Sequence, residues 1–187
     1  TYNLKEKDKK EVPTDSEIIE IIETIGVAYR WHFGMAATYG LRPHEIDHIT
    51  QIEGGLVQVP NESKTGYRTV IPLHEDWPAL FRLDRVVKRP PSINDGRRAD
   101  PCAVWMNKRR RKLKIPYSPY QLRHAYAHRL WRHGGSKLSV FDAAKLMGHS
   151  IKEHTETYRR AIDPNKIAVA SQEAIRSNMR EQRELLA

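Results

Sequence analysis

Two hydrophobic periods organise this chain. Ile18, Ile19, Ile21, Ile22 and Ile25 recur at spacings that set most of them on one helical face. Thr14 and Glu17 form a capping box ahead of them, the hydroxyl accepting from the third helical N–H while the carboxylate reaches back to the cap. A second helix, over about 27–39, is richer in Ala, Met and aromatic residues, as a buried central helix would be, and Gly40 ends it. Pro43 then starts a short helix to about residue 49 and leaves Arg42 at the junction. The period next shortens to two: Leu56, Val57 and Val59, then Tyr67, Thr69, Val70 and Ile71, read as short strands joined by NESKTG, whose Asn, Ser and Gly suit a hairpin connection. Residues 75–86 read as helix and RPPSINDGRRADP as loop. Helices are expected over 102–112, 119–133, 140–147 and 151–160, and an amphipathic tail helix over about 164–187. The fold class is therefore mainly α with a small antiparallel β-sheet.

The first 13 residues are charged, poor in large apolar groups and closed by Pro13, so 1–13 read as a tether and 14–187 as one domain with its own core. The formal net charge of +9 favours a polyanionic partner, with nucleic acid first and an anionic membrane surface second. No apolar run approaches the roughly 20 residues of a membrane span and no secretion signal opens the chain, so a soluble, cytoplasmic protein is expected. Cys102 is the only cysteine, which leaves no internal disulfide and no thiolate zinc cluster. It reads as a packed apolar residue. His124 and His128, like His44 and His48, are four apart and so lie on one helical face, but neither pair has the Glu of an HExxH motif or an evident third ligand. No cofactor or metal is expected.

Four segments carry the candidate chemistry: YGLRPHE around Arg42, NESKTGYRTVIPL around Lys64, YQLRHAYAH around Arg123, and LMGHSIKEHTETY, in which His149 follows a helix-ending Gly148 and precedes Tyr158 by nine positions. Taken in order, Arg42, Lys64, Arg123, His149 and Tyr158 resemble the catalytic set of the tyrosine recombinases, the family of the phage integrases. The resemblance runs from about Thr14 to Ile167.

It implies that family's catalytic-domain fold, with strand cleavage by Tyr158, a 3′-phosphotyrosyl intermediate and rejoining without metal or ATP. Guanidinium forks match the charged non-bridging oxygens of a phosphodiester under attack, the part given to Arg42 and Arg123. Lys64 would protonate the leaving 5′ oxygen, and His149 would hydrogen-bond the scissile phosphate and assist proton movement. Glu45 matches the acidic residue that braces the first arginine, and His124 a supporting histidine beside the second. One position departs from the family pattern: Tyr120 stands where histidine or lysine is usual. It shares a helical face with Arg123, so its phenol could donate to phosphate but could not serve as an imidazole base. The run Lys108, Arg109, Arg110, Arg111, Lys112, Lys114 reads as a set of phosphate contacts, or alternatively as a solvated helix end.

By the same resemblance the partners are double-stranded DNA, four protomers on the recombining DNA from a chain that is monomeric alone, and accessory DNA-bending proteins. The tether would lead to an N-terminal DNA-binding domain, and the protein would sit with the nucleoid. The tail helix would dock in cis or on a neighbouring protomer. Two alternatives stay open: a type IB topoisomerase-like or telomere-resolving strand transferase, and an inactive DNA-binding regulator of the same fold, for which Tyr120 is the main support.

Overall fold

Thr14 starts the first helix as its sequence requires. Its backbone N–H donates to Glu17 Oε2 at 2.8 Å, and the Glu17 N–H donates to Thr14 Oγ1 at 3.3 Å. The computed structural model describes residues 12–60, 67–90, 100–134 and 138–152, with the single positions 172, 175, 176 and 179. The chain divides into two compact units, Thr1–Ala127 and His128–Ala187. Residues 1–11 of the proposed tether and most of the tail helix, like the helix expected over 151–160 beyond its first two residues, lie outside the described residues; the last two tether residues are described, Val12 packing against the core and Pro13 buried.

In the first unit, α1 (Asp15–Thr24) buries Ile18 and Ile22, one turn apart, with Ile25 behind them. The central helix α2 (Val27–Tyr39) is buried at every position from Trp31 to Tyr39, as its composition predicted. α5 (Pro101–Lys112), capped by Asp100 accepting from the Ala103 N–H, meets it through side-chain rings. The Trp105 ring stands 4.7 Å from His32 and 5.6 Å from Tyr29. Cys102 is buried in the same core, which drives its thiol pKa upward, and it packs as an apolar residue.

Between these helices come α3 (Pro43–His48) and a three-stranded antiparallel sheet in the order β1 (Ile52–Glu53), β2 (Leu56–Val59), β3 (Arg68–Val70). The first strand was not anticipated. It pairs Glu53 with Leu56 across a Gly54–Gly55 turn, and both glycines take positive φ, as a two-residue hairpin with the twist of its strands requires. β2 and β3 pair with Val57 opposite Val70 and Val59 opposite Arg68. The inward positions are Val57, Val59, Val70 and, unexpectedly, Arg68.

The helix expected over 75–86 is corrected to a single turn, α4 (Trp77–Leu80). Arg82 adopts a left-handed φ of 56° and the Leu83 N–H closes on the Pro78 carbonyl at 2.8 Å, which stops the helix. The turn drives Phe81 and Leu83 into the core, Leu83 against Gly34, where any Cβ would meet it. Residues 84–90 then run without regular structure, and Lys88 and Arg89 bind the end of α3: Lys88 Nζ donates to the Asp47 and Ile49 carbonyls, and Arg89 Nε lies 2.6 Å from Asp47 Oδ2.

α6 (Pro119–Gly134) carries the chain from the first unit into the second, where α7 (Val140–Met147) follows. Ser139 caps α7, and Gly148 ends it in the left-handed conformation that only glycine takes freely. Among the described residues no helix is long and apolar enough to cross a membrane.

Candidate active site

The site in the first unit starts at the end of α2. Gly40 holds φ at 64°, and the Tyr126 ring occupies the space any Cβ would need, so both backbone and packing demand glycine there. The bend presents the Gly40 carbonyl to Arg123 on α6, whose Nη1 donates to it. It also carries the chain through buried Leu41 to Arg42, the N-cap of α3, with Pro43 at the first helical position.

Glu45 sits at the third position of α3, its side chain wholly enclosed. Oε2 accepts the Arg42 backbone N–H at 2.7 Å, and Oε1 accepts Arg42 Nη1 at 3.0 Å. Oε2 also accepts Arg68 Nη2 at 2.8 Å, and Arg123 Nη1 stands 3.8 Å from that same oxygen. Burial opposes the ionised form of Glu45. The hydrogen bond and charge of Arg68, the charge of Arg123 and the Arg42 N–H outweigh it and bring the carboxyl down to about 2. A single carboxylate thus orders the Arg42 and Arg68 guanidinium groups directly and has that of Arg123, held by the Gly40 carbonyl, at ion-pair distance. Such an arrangement is a ready receptor for an oxyanion, because the forks are aligned before the anion arrives.

Tyr120, one helical turn before Arg123, is 44% exposed. Its phenol pKa is pushed above the ordinary value by burial and then by Asp100, against the opposing pull of Arg42 and Arg123. At neutral pH it is a donor. Asp100 is also 3.7 Å from His44 Nδ1, and the His44 and Ala103 N–H contacts hold its carboxyl below the usual range although burial acts the other way.

The structure therefore brings Arg42, Glu45 and Arg123 together and keeps Tyr120 within their field. Lys64 and Tyr158 lie outside the described residues. His149 belongs to the second unit, where its backbone N–H closes the end of α7 on the Ala144 carbonyl at 2.9 Å. His124 is half-buried on α6. Among the described residues no three His, Cys, Asp or Glu side chains gather as a metal site needs. The basic run divides. Lys108, Arg111, Lys112 and Lys114 are exposed, whereas Arg109 lies over the Tyr29 ring, 5.2 Å from its centroid, and Arg110 donates to the Ile115 and Pro116 carbonyls. Arg110 closes the end of α5. Sequence reasoning also missed Arg68, since an arginine in a short strand reads as outward-facing.

No family model matches the chain. It is 28% identical to Excisase A of Nostoc sp., over 89% of this chain and 42% of that protein, and 35% identical to Excisase C of the same organism, over 71% of this chain and 29% of that one. It thus spans less than half the length of either relative. Among solved structures, the integrase of the Tn1549 transposon in complex with transposon right-end DNA superposes at a TM-score of 0.62 with 17% identity, over 90% of this chain and 67% of the other. XerA recombinase superposes at 0.57 with 18% identity, over 90% and 65%. XerH site-specific recombinase, bound to a palindromic substrate in a post-cleavage complex, does so at 0.51 with 15% identity, over 83% and 49%.

Proposed function

This chain has the catalytic-domain fold of the tyrosine recombinases, and we propose that it performs site-specific DNA recombination, the integration or excision of a mobile element. The carrying observation is the buried Glu45 with its converging arginines, which holds Arg42 by a direct ion pair and has Arg123 at ion-pair distance, two cations gathered at one point as stabilising a phosphodiester under attack requires.

In the reaction so assigned, the Tyr158 oxygen attacks phosphorus and a 3′-phosphotyrosyl bond forms as the bond to the 5′ oxygen breaks. Lys64 protonates that leaving oxygen. Arg42 and Arg123 hold the non-bridging oxygens in the pentacoordinate state, where their charge has grown most. His149 hydrogen-bonds the phosphate and takes part in moving the tyrosine proton. Rejoining reverses the sequence with the 5′ hydroxyl of the exchanged strand as nucleophile, so the bond energy is conserved. Tyr120, a phenol that stays protonated, contributes a hydrogen bond to phosphate and no base. Exposed Lys108, Arg111, Lys112 and Lys114 neutralise flanking phosphates. The active assembly is four protomers on DNA, with bending proteins supplied in trans, in the cytoplasm beside the nucleoid.

Tyr120 also favours one rival, a regulator that binds DNA without cutting it. Covalent trapping separates the two. The chain is incubated with fragmented DNA of its source and denatured, and protein-linked DNA is recovered and sequenced. Adducts that vanish in Tyr158→Phe identify the nucleophile and the cleavage sequence together. No adduct, either from this chain or from one extended at its N-terminus, rejects the enzyme in favour of the regulator.

A further inference from the structure

Arg68 sits on the inward face of the sheet, 5% exposed, opposite Val59 of β2. A guanidinium in that position is costly unless it is paired and hydrogen-bonded, and Arg68 is paired to Glu45 through the 2.8 Å contact to Oε2. The pairing joins two parts of the site that are distant in sequence. Arg68 begins the strand that follows the connection containing Lys64, and Glu45 fixes both the backbone and the guanidinium of Arg42. It also decides the surroundings of Arg123. With Arg68 and the Arg42 N–H on Oε2, Arg123 Nη1 stands at 3.8 Å from that oxygen, beyond a hydrogen bond.

We propose that Arg68 is a positioning residue for strand cleavage: it occupies Glu45 Oε2 beside the Arg42 backbone N–H, so that the carboxylate keeps the orientation in which it holds Arg42 and leaves Arg123 at ion-pair distance without a hydrogen bond to that oxygen. The reaction it serves is that of the recombinase reading above. Arg68 itself makes no phosphate contact in this scheme.

Two variants of the full chain test it, Arg68→Gln and Arg68→Lys. The first readout needs no activity: the Glu45 side-chain carboxyl is titrated by carbon-13 NMR. Removing the Arg68 charge leaves burial less opposed, so in Arg68→Gln the Glu45 titration rises by at least about one pH unit, and in Arg68→Lys it rises less. The second readout is the salt dependence of binding to a random-sequence duplex. The slope stays unchanged in both variants; a loss of about 0.9 would make Arg68 a phosphate contact and overturn the assignment. The third is the single-turnover rate of adduct formation through Tyr158, which falls about 100-fold in Arg68→Gln and is partly restored by lysine. An unmoved Glu45 titration, or a cleavage rate equal to that of the unaltered chain, refutes the positioning role. Should Arg68→Gln fail to fold, Arg68→Lys decides through its Glu45 titration and rate. Absence of adduct with the unaltered chain would count against the recombinase reading instead, and the Glu45 titration would still decide whether Arg68 controls that carboxylate.

Discussion

Replacing Glu45 with Gln keeps the outline of the side chain and removes the charge that Arg42, Arg68 and Arg123 share. The Glu45 carboxyl is held at about 2 against an ordinary 4.5. The folded value lies below the unfolded one, so the stabilisation is complete above about pH 4.5 and drains away as pH falls toward 2. At about 1.4 kcal/mol per unit, a shift of this size contributes about 3 kcal/mol near neutrality. That agrees with the roughly 3–5 kcal/mol lost when one member of a buried ion pair is deleted and its partners stay uncompensated. Glu45→Gln should therefore lower the unfolding free energy at pH 7 by about 3 kcal/mol, read from urea midpoints at constant slope. The same reasoning fixes the pH dependence of the difference. It should have shrunk by about half near pH 3.3 and to a few tenths of a kcal/mol near pH 2, since the unaltered side chain is then becoming neutral as well. A difference below about 1 kcal/mol at pH 7, or one that stays constant through the acid range, would refute the view that Glu45 is held ionised by its arginines.

Other perturbations follow from the same geometry. His32 is buried beside Trp31 and Trp105, and burial, against the pull of Asp47, lowers its pKa from 6.5 to about 4. The unfolded chain takes up that proton first, so stability should fall by about 3 kcal/mol as pH drops from 6.5 to about 4, and His32→Phe should remove this part of the slope in urea titrations. Gly40→Ala must adopt a left-handed backbone and displace the Tyr126 ring, a loss of about 2–4 kcal/mol by calorimetry; a loss under about 1 kcal/mol would show that the ring yields freely. Arg110→Ala and Arg111→Ala should part ways: the first lowers thermal stability and leaves the salt slope of DNA binding unchanged, while the second lowers the slope by about 0.9 and leaves stability unchanged. Equal effects of the two on the slope would contradict the division of the basic run.

Features set by local chemistry were readable in advance. The Thr14 box, the glycine stops at Gly40 and Gly148 and the spans of α2 and α7 all depend on neighbours within a turn or two. The brace between Glu45 and Arg42, three residues apart, was expected from the family resemblance alone, since a lone glutamate in the first turn of a helix reads as a surface charge. What escaped depended on distant partners. Arg68 faces inward because Glu45, 23 positions earlier, receives it there, and no strand pattern contains that information. The helix expected over 75–86 failed because Leu83 turns inward against Gly34, which forces Arg82 into a left-handed conformation that its own residue type disfavours. The Gly54–Gly55 hairpin was locally encoded, and the four-residue strand after it was read, but the strand before it has only two residues, too short an alternation to register.

The clasp of Lys88 and Arg89 on the end of α3 matters for anyone recombining segments between related proteins. Six residues are far too few for a helix to hold its shape unaided. α3 is instead gripped at its start by the Arg42–Glu45 lock and at its finish by two cations from the segment after α4. A chimera with a crossover between Ile49 and Lys88 would inherit Arg42 without the part that keeps its supporting helix in place. Residues 40–49 and 88–89 form one heritable module although some forty residues separate them in sequence, and exchanges that move them together should keep the arginine where they found it.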